Sequence, residues 1–361
     1  MGQALSADLL TQYQLPPLSV RNNSVRTFNF RKLPTELIDL IFEDFLDPVT
    51  ATALSLTCKD LRNGHYRVPQ RLNLLDRRLL LLLLENDSTS QRPVYFCHHC
   101  VGLHSFDPVR EGPTHPSLPH FKFGPDDWPL APYGRLNDCC QDIVRVDGNN
   151  FVIEYRHVRL IMNQHFYGGA GLPLSTFNVT CRPEYDDGRW SQKWSARIID
   201  DELFLSATHT LNYRGSKGDF REIVNRSECN ICAHVKLNEL WTIFGGDVSG
   251  AEGTPARSWP RRNFLEPCGN VHHVCISCAT DFTITVEERS EPERWVLTIV
   301  TYHQLGSCRY PNDPRWVAFR GGRRFHSVPT PLRDTFGIMP GSVREKWRLL
   351  TLKREYGLFL P

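Results

Sequence analysis

Leu33-Pro34-Thr35-Glu36-Leu37-Ile38-Asp39-Leu40-Ile41-Phe42-Glu43-Asp44-Phe45-Leu46 is the stretch that decides how the N-terminal part of the chain folds. Pro34 suits the first turn of a helix, where its missing N–H goes unneeded. On a helical wheel the apolar positions Leu37, Ile38, Leu40, Ile41, Phe42, Phe45 and Leu46 cover an arc of about 240°, whereas one core face needs about 100°. The excess has to be covered, and for so small a helical unit a partner protein is the natural cover. Asp47-Pro48 then supplies an N-cap and a proline at the first helical position, with Val49, Ala53 and Leu56 at i, i+4 and i+7. A third short helix is expected from about Cys58 to His65, with Leu61 as its apolar contact.

These residues resemble the F-box family. Its pattern is Leu-Pro-x-Glu-Leu, an isoleucine four residues later, an aspartate opening the second helix, and a Cys-Lys-x-Leu or Cys-Lys-x-Trp third helix. Leu33, Pro34, Glu36, Leu37, Ile41, Asp47, Leu54, Cys58, Lys59 and Leu61 fall at equivalent positions, within residues 31–70. The resemblance implies a three-helix module that docks onto the Skp-family adaptor, and through it the cullin, of a Skp-cullin-F-box (SCF) ubiquitin ligase. It implies Leu33, Pro34, Glu36, Leu37, Ile41, Leu46, Leu54 and Leu61 as the adaptor-binding set, in a family whose motif positions divide between packing the helices and touching the adaptor.

Outward from the module, the 361 residues leave room for two or three domains. Residues 1–30 read as a flexible tail and 71–92 as a linker helix whose core is the leucine run Leu79 to Leu84, expected to be buried. Residues 93–361 read as a Cys-rich α+β region that binds a target. With 42 basic against 40 acidic residues, nothing demands a polyanionic partner. No apolar run approaches the ~20 residues that cross a bilayer, and no secretory pattern opens the sequence, so a cytoplasmic or nuclear protein is expected. Met1-Gly2-Gln3-Ala4-Leu5-Ser6 fits the N-myristoylation pattern at Gly2. One such chain gives only marginal membrane binding, so membrane contact is expected only if Gly2 carries it.

Cysteines in a reducing compartment more often hold metal than form disulfides. Three Cys-x-x-Cys pairs occur among twelve cysteines, Cys97/Cys100, Cys229/Cys232 and Cys275/Cys278. Chance placement gives roughly 0.4 such pairs. Two intervening residues let a tight turn aim both thiolates at one tetrahedral ion, so each pair is half a structural zinc site. Cys97 and Cys100 find further ligands in Cys139 and Cys140. Adjacent cysteines ligate together only with strain, which leaves one of them with His104, His98 or His99 as a variant. Cys229, Cys232, Cys275 and Cys278 make a complete four-thiolate set, although the stretch between the two pairs exceeds the ~15 to 20 residues of a compact ribbon. Cys268, His272 and His273 compete for places in it. Cys58, Cys181 and Cys308 are isolated and read as core. No open-site zinc motif, phosphate loop or nucleophile elbow occurs, so neither catalysis nor an organic cofactor is expected.

Strands dominate the rest of the region, giving an α+β class. Ala196 to Ala207 reads as two short strands around Asp200-Asp201, and Phe282–Val286 with Trp295–Tyr302 as a hairpin. Ser342-Val343-Arg344-Glu345 reads as a capping box opening a basic helix with Trp347 and Leu350 inward. Phe96-Cys97-His98-His99-Cys100, Leu305-Gly306-Ser307-Cys308-Arg309-Tyr310-Pro311-Asn312-Asp313-Pro314-Arg315-Trp316 and Gly341-Ser342-Val343-Arg344-Glu345-Lys346-Trp347 resemble a family of F-box proteins abundant in filamentous fungi, in which glycine is commoner at the position of Cys308. The expectation is a non-enzymatic substrate receptor that brings an unknown target protein to the ligase. Two alternatives stand beside it: an adaptor-bound protein with a structural or trafficking role outside any ligase, and a zinc-dependent nucleic-acid binder supported only by the basic segment Arg320–Arg324 and the basic helix that opens at Ser342.

Overall fold

Helix formation at Pro34 follows the sequence. The structure, a computed structural model, describes residues 32–57, 61, 72–86, 93–108, 143–145, 152–181, 190–227, 229–238, 268–275, 277–290, 295–319 and 337–356. They fall into two units, Met1–Phe106 with Asn163–Gly171, and Asp107–Met162 with Leu172–Pro361.

In the first unit, α1 (Thr35–Leu40) widens into a π-helical turn, Ile41–Phe45, closed by the Leu46 N–H on the Ile41 carbonyl at 3.1 Å. Helix α2 (Pro48–Thr57) is capped by Asp47, whose Oδ1 accepts from the N–H of Val49 at 2.9 Å and of Thr50 at 3.1 Å. The Thr50 hydroxyl donates to Asp47 Oδ2 at 2.5 Å and, with these amides, holds the carboxyl below its ordinary range. The buried side of α2 is not the expected Val49, Ala53, Leu56 stripe. It is Val49, Ala51, Thr52 and Ser55, while Leu56 is exposed. Both hydroxyls are satisfied within the helix, Thr52 on the Pro48 carbonyl at 2.6 Å and Ser55 on the Thr52 carbonyl at 2.7 Å, so burying them costs little.

Ile38, Phe42, Ala51 and Leu61 form the core of these helices, with Leu33, Leu46 and Leu54 against it. Apart from Leu61, the third helix expected from Cys58 to His65 lies outside the described residues, as do Gly2 and the whole of the 1–30 tail. Helix α3 (Leu74–Glu85) starts at Asn73, whose side chain accepts from the Asp76 N–H. Its leucine run is half-buried rather than buried, with only Leu80 enclosed. Glu85 is buried too, its carboxylate taking the N–H of Phe96 at 2.9 Å on β1 (Val94–Cys97), which pairs antiparallel with β2 (Gly102–Ser105).

The second unit is α+β, as the patterning indicates. After the hairpin β3 (Ile143–Arg145) and β4 (Val152–Glu154) and helix α4 (Tyr155–Tyr167), whose residues from Asn163 onward are grouped with the first unit, the chain builds one antiparallel sheet. Its strands are β5 (Thr180–Cys181), β6 (Trp190–Ile199), β7 (Glu202–Tyr213), β10 (Cys268–Val274), β11 (Thr280–Glu288) and β12 (Trp295–Gly306), in the order β10-β11-β12-β7-β6-β5. The β6–β7 hairpin turns at Asp200-Asp201 as expected, with φ of +51° and +60°, the two left-handed residues of a tight hairpin turn. Its strands are longer than the short pair expected.

Alternation sends Leu211, Phe282, Ile284, Val286, Trp295, Leu297 and Ile299 to one face, where they meet Phe220 and Val224 of α5 (Lys217–Arg226) and the small hairpin β8 (Asn230–Cys232) and β9 (Val235–Lys236). The opposite face carries Ile199, Phe204 and Ala279 against Val343 and Trp347 of α7 (Ser342–Tyr356). Helices α4 and α5 fall in stretches for which the sequence reading named no element. The start of α7 is capped from the sheet: Asp281 accepts from the N–H of Gly341 at 3.3 Å and of Arg344 at 3.0 Å. The Leu350 side chain lies outside the described residues.

The loop after β12 leads into α6 (Pro314–Val317) through two left-handed residues, Gly306 at φ +86° and Cys308 at +50°. Glycine adopts this conformation at least cost, and Cys308 takes it while carrying a side chain. Asp313 accepts from the Arg315 N–H at 3.0 Å and the Ser307 hydroxyl at 3.2 Å, so its carboxylate is fixed. A Cβ on Gly306 would sit 2.8 Å from that carboxylate. Gly306→Ala is therefore expected to destabilise the second unit by about 1–3 kcal/mol. Denaturant unfolding checks this, and a loss under about 0.5 kcal/mol contradicts it.

Candidate metal centre

Two hairpin turns of the second unit meet at one point. Cys232 ends β8 and His234 lies in the turn to β9. Cys275 and Cys278 bracket the turn between β10 and β11. That second turn is fixed by the N–H of Cys275 on the Thr280 carbonyl at 2.9 Å and the N–H of Thr280 on the Cys278 carbonyl at 2.8 Å. One ligand atom from each of Cys232, His234, Cys275 and Cys278 lies within 4.8 Å of all the others. Ligands on a tetrahedron with Zn–S near ~2.3 Å are roughly 3.7 Å apart, so the donor set fits a tetrahedral ion.

The three thiols are buried and the imidazole is exposed at the rim. Cys275 is held well below the usual thiol range by hydrogen bonds from Cys232 and Cys278, whereas burial pushes Cys232 and Cys278 well above it. Three thiolates in one buried volume repel one another unless a cation lies between them, and the arrangement is compatible with a structural metal.

Of the four-thiolate set expected here, the structure brings together Cys232, Cys275 and Cys278, and puts His234 in the fourth place. Cys229 is elsewhere. It precedes β8, is half-buried, and packs against the core cluster that contains Ile231. Its carbonyl takes the Leu237 N–H at 2.8 Å, closing the hairpin. The signal for His234 was the Cys-x-His spacing after Cys232. Neither competing histidine on β10 joins the group: His272 is exposed, and His273 stacks on Phe282 at 5.2 Å, burial lowering its pKa to about 4. The Cys268 side chain lies outside the described residues.

The first unit carries a second group, Cys97, Cys100 and His104, again within 4.8 Å of one another. Cys100 Sγ is 3.0 Å from His104 Nε2, and the His104 ring stacks on Tyr95, its partner across the β1–β2 pair, at 5.4 Å. The turn is tight enough to force Val101 to φ +52°. His104 is thus the histidine the structure selects. Cys139 and Cys140 lie outside the described residues.

The helices of the first unit place the expected docking residues unevenly. Leu61 belongs to the core, and Leu33, Leu46 and Leu54 lean on it. Ile41 is half-buried, and Pro34, Glu36 and Leu37 are exposed. The larger apolar exposure includes residues outside the expected set: Leu40 at 43%, Phe45 at 73% and Leu56 at 45%, beside Leu37 at 46%. Among the described residues no helix is long and apolar enough to cross a membrane. No protein-family model, curated protein or solved structure matches the chain.

Replacing single cysteines separates the ligands from the core. Cys232→Ser is expected to remove at least half of the metal bound by the four-residue group, and Cys229→Ser to leave metal content unchanged, as measured by elemental mass spectrometry of purified protein. Equal loss in both variants contradicts the ligand set.

Proposed function

We propose that this chain is a non-catalytic substrate receptor: α1 and α2 dock onto a Skp-family adaptor of an SCF ubiquitin ligase, and the second unit, stapled by zinc, holds a target protein. The observation that carries this reading is the exposure of Leu37, Leu40, Phe45 and Leu56 on helices that follow the Leu-Pro-x-Glu-Leu pattern. Four large apolar side chains exposed on two short helices are costly in water and inexpensive beneath a partner. Ile38 and Phe42 bind the helices together, so the same arc serves both purposes.

Zinc is the metal that the donors favour. Three thiolates and one imidazole are a familiar structural zinc set, with no position left for a reacting water. Its role here is to tie the β8–β9 hairpin to the β10–β11 turn. In this reading ubiquitin transfer belongs to other subunits, and the chain contributes position.

Leu37→Glu combined with Phe45→Glu tests the docking, because both side chains are exposed and neither belongs to the core. The double variant is expected to lose co-purification with the adaptor by at least tenfold while retaining wild-type zinc content. Undiminished adaptor capture overturns the reading. Capture of adaptor without cullin by the wild-type chain would instead favour an assembly outside a ligase.

A further inference from the structure

Behind the four-residue group runs a buried polar chain that neither the zinc staple nor the docking face explains. Cys278 Sγ is 3.1 Å from the Thr280 hydroxyl, which is 2.9 Å from His303 Nδ1. His303 Nε2 is 3.1 Å from the Thr301 hydroxyl. Cys278, Thr280, His303 and Thr301 are all fully buried. Thr280 and His303 face each other across the β11–β12 ladder, and the Phe319 ring stands edge-on to the imidazole at 5.7 Å. The N–H of Gln304 on the Ala279 carbonyl, at 3.0 Å, ties the two strands at the same level.

We infer that Thr280 and His303 are positioning residues of the metal centre, with His303 donating from Nδ1 to Thr280, and Thr280 donating its hydroxyl proton to the metal-bound sulfur of Cys278. This inference rests on the metal reading above. Its logic is the count of protons. A metal ligand cysteine is a thiolate and can only accept. The Thr280 hydroxyl has one proton, so giving it to Cys278 leaves its oxygen to accept from His303 Nδ1. The Thr301 hydroxyl lies 3.5 Å from the Ala207 carbonyl and 3.1 Å from Nε2; donated along the shorter contact, its proton leaves the imidazole satisfied at both ends as a neutral Nδ1–H ring. Such outer partners orient a ligand and draw charge off it, and removing one commonly costs 10–100-fold in metal affinity, an order-of-magnitude range.

The test uses the full chain loaded with zinc alone. Competition against a chromophoric chelator is expected to show roughly 10–100-fold weaker zinc binding for Thr280→Val, which keeps the shape and loses the hydroxyl, and recovery in Thr280→Ser. Ring ¹⁵N NMR of the zinc-loaded wild-type chain, with His303 assigned by its loss in His303→Gln, is expected to show Nδ1 protonated. That measurement decides the matter even if Thr280→Val fails to fold. Zinc affinity within twofold of wild type in folded Thr280→Val, or an unprotonated Nδ1, overturns the positioning role and leaves the metal centre standing. A wild-type chain that binds no zinc removes both.

Discussion

Three buried sulfurs and an imidazole nitrogen within 4.8 Å are an arrangement that protein groups alone stabilise poorly. Hydrogen bonds pull the Cys275 thiol below its ordinary range, and burial pushes those of Cys232 and Cys278 above it. Much of the second unit is organised around this point. The β8–β9 hairpin is small, with one strand of three residues and one of two. Hairpins of that size are marginal in isolation. It is held from two sides, by Ile231 and Leu237 in the core under the sheet and by Cys232 and His234 facing the β10–β11 turn. The proposed zinc adds a covalent-strength tie where apolar contacts are few.

The first unit meets a different constraint. Its helices carry more apolar surface than their own core absorbs, and the surplus is concentrated on Leu37, Leu40, Phe45 and Leu56. The π-helical turn at Ile41–Phe45 bears on this, since a wider turn changes the angular position of every later residue, Phe45 included. The proposed division of labour follows: one unit supplies a docking face, and the other a metal-braced sheet with helices on both sides.

How far the sequence revealed this depends on the range of the interactions. The proline-led first helix, the Asp47 cap, the Asp200-Asp201 turn and the two long hairpins are local, and their signals lie within a few residues. Helix α5 was equally local: Ser216 caps the Asp219 N–H, and Phe220 and Val224 share a face, yet the surrounding strand-rich composition hid it. Other features were out of reach for a physical reason. Asp281 caps a helix some sixty positions later in the chain, and no spacing rule connects Asp281 with Arg344. At the metal group, regular Cys-x-x-Cys spacing pointed to Cys229, but that residue precedes β8 and packs against the core cluster, while Cys232 stands at the turn end of the strand. In α2, the hydrophobic count favoured Leu56 over Thr52 and Ser55, because internal hydroxyl bonds that make burial affordable are invisible to such a count.

The central proposal is that Cys232, His234, Cys275 and Cys278 hold a metal that ties the β8–β9 hairpin to the β10–β11 turn. Its most direct test is to strip the full chain with a strong chelator under reducing conditions until no metal is detected, then follow amide hydrogen exchange. The account predicts that protection collapses across β8, β9 and the β10–β11 turn and returns on adding zinc. A metal-free chain with undiminished protection in those segments would contradict it.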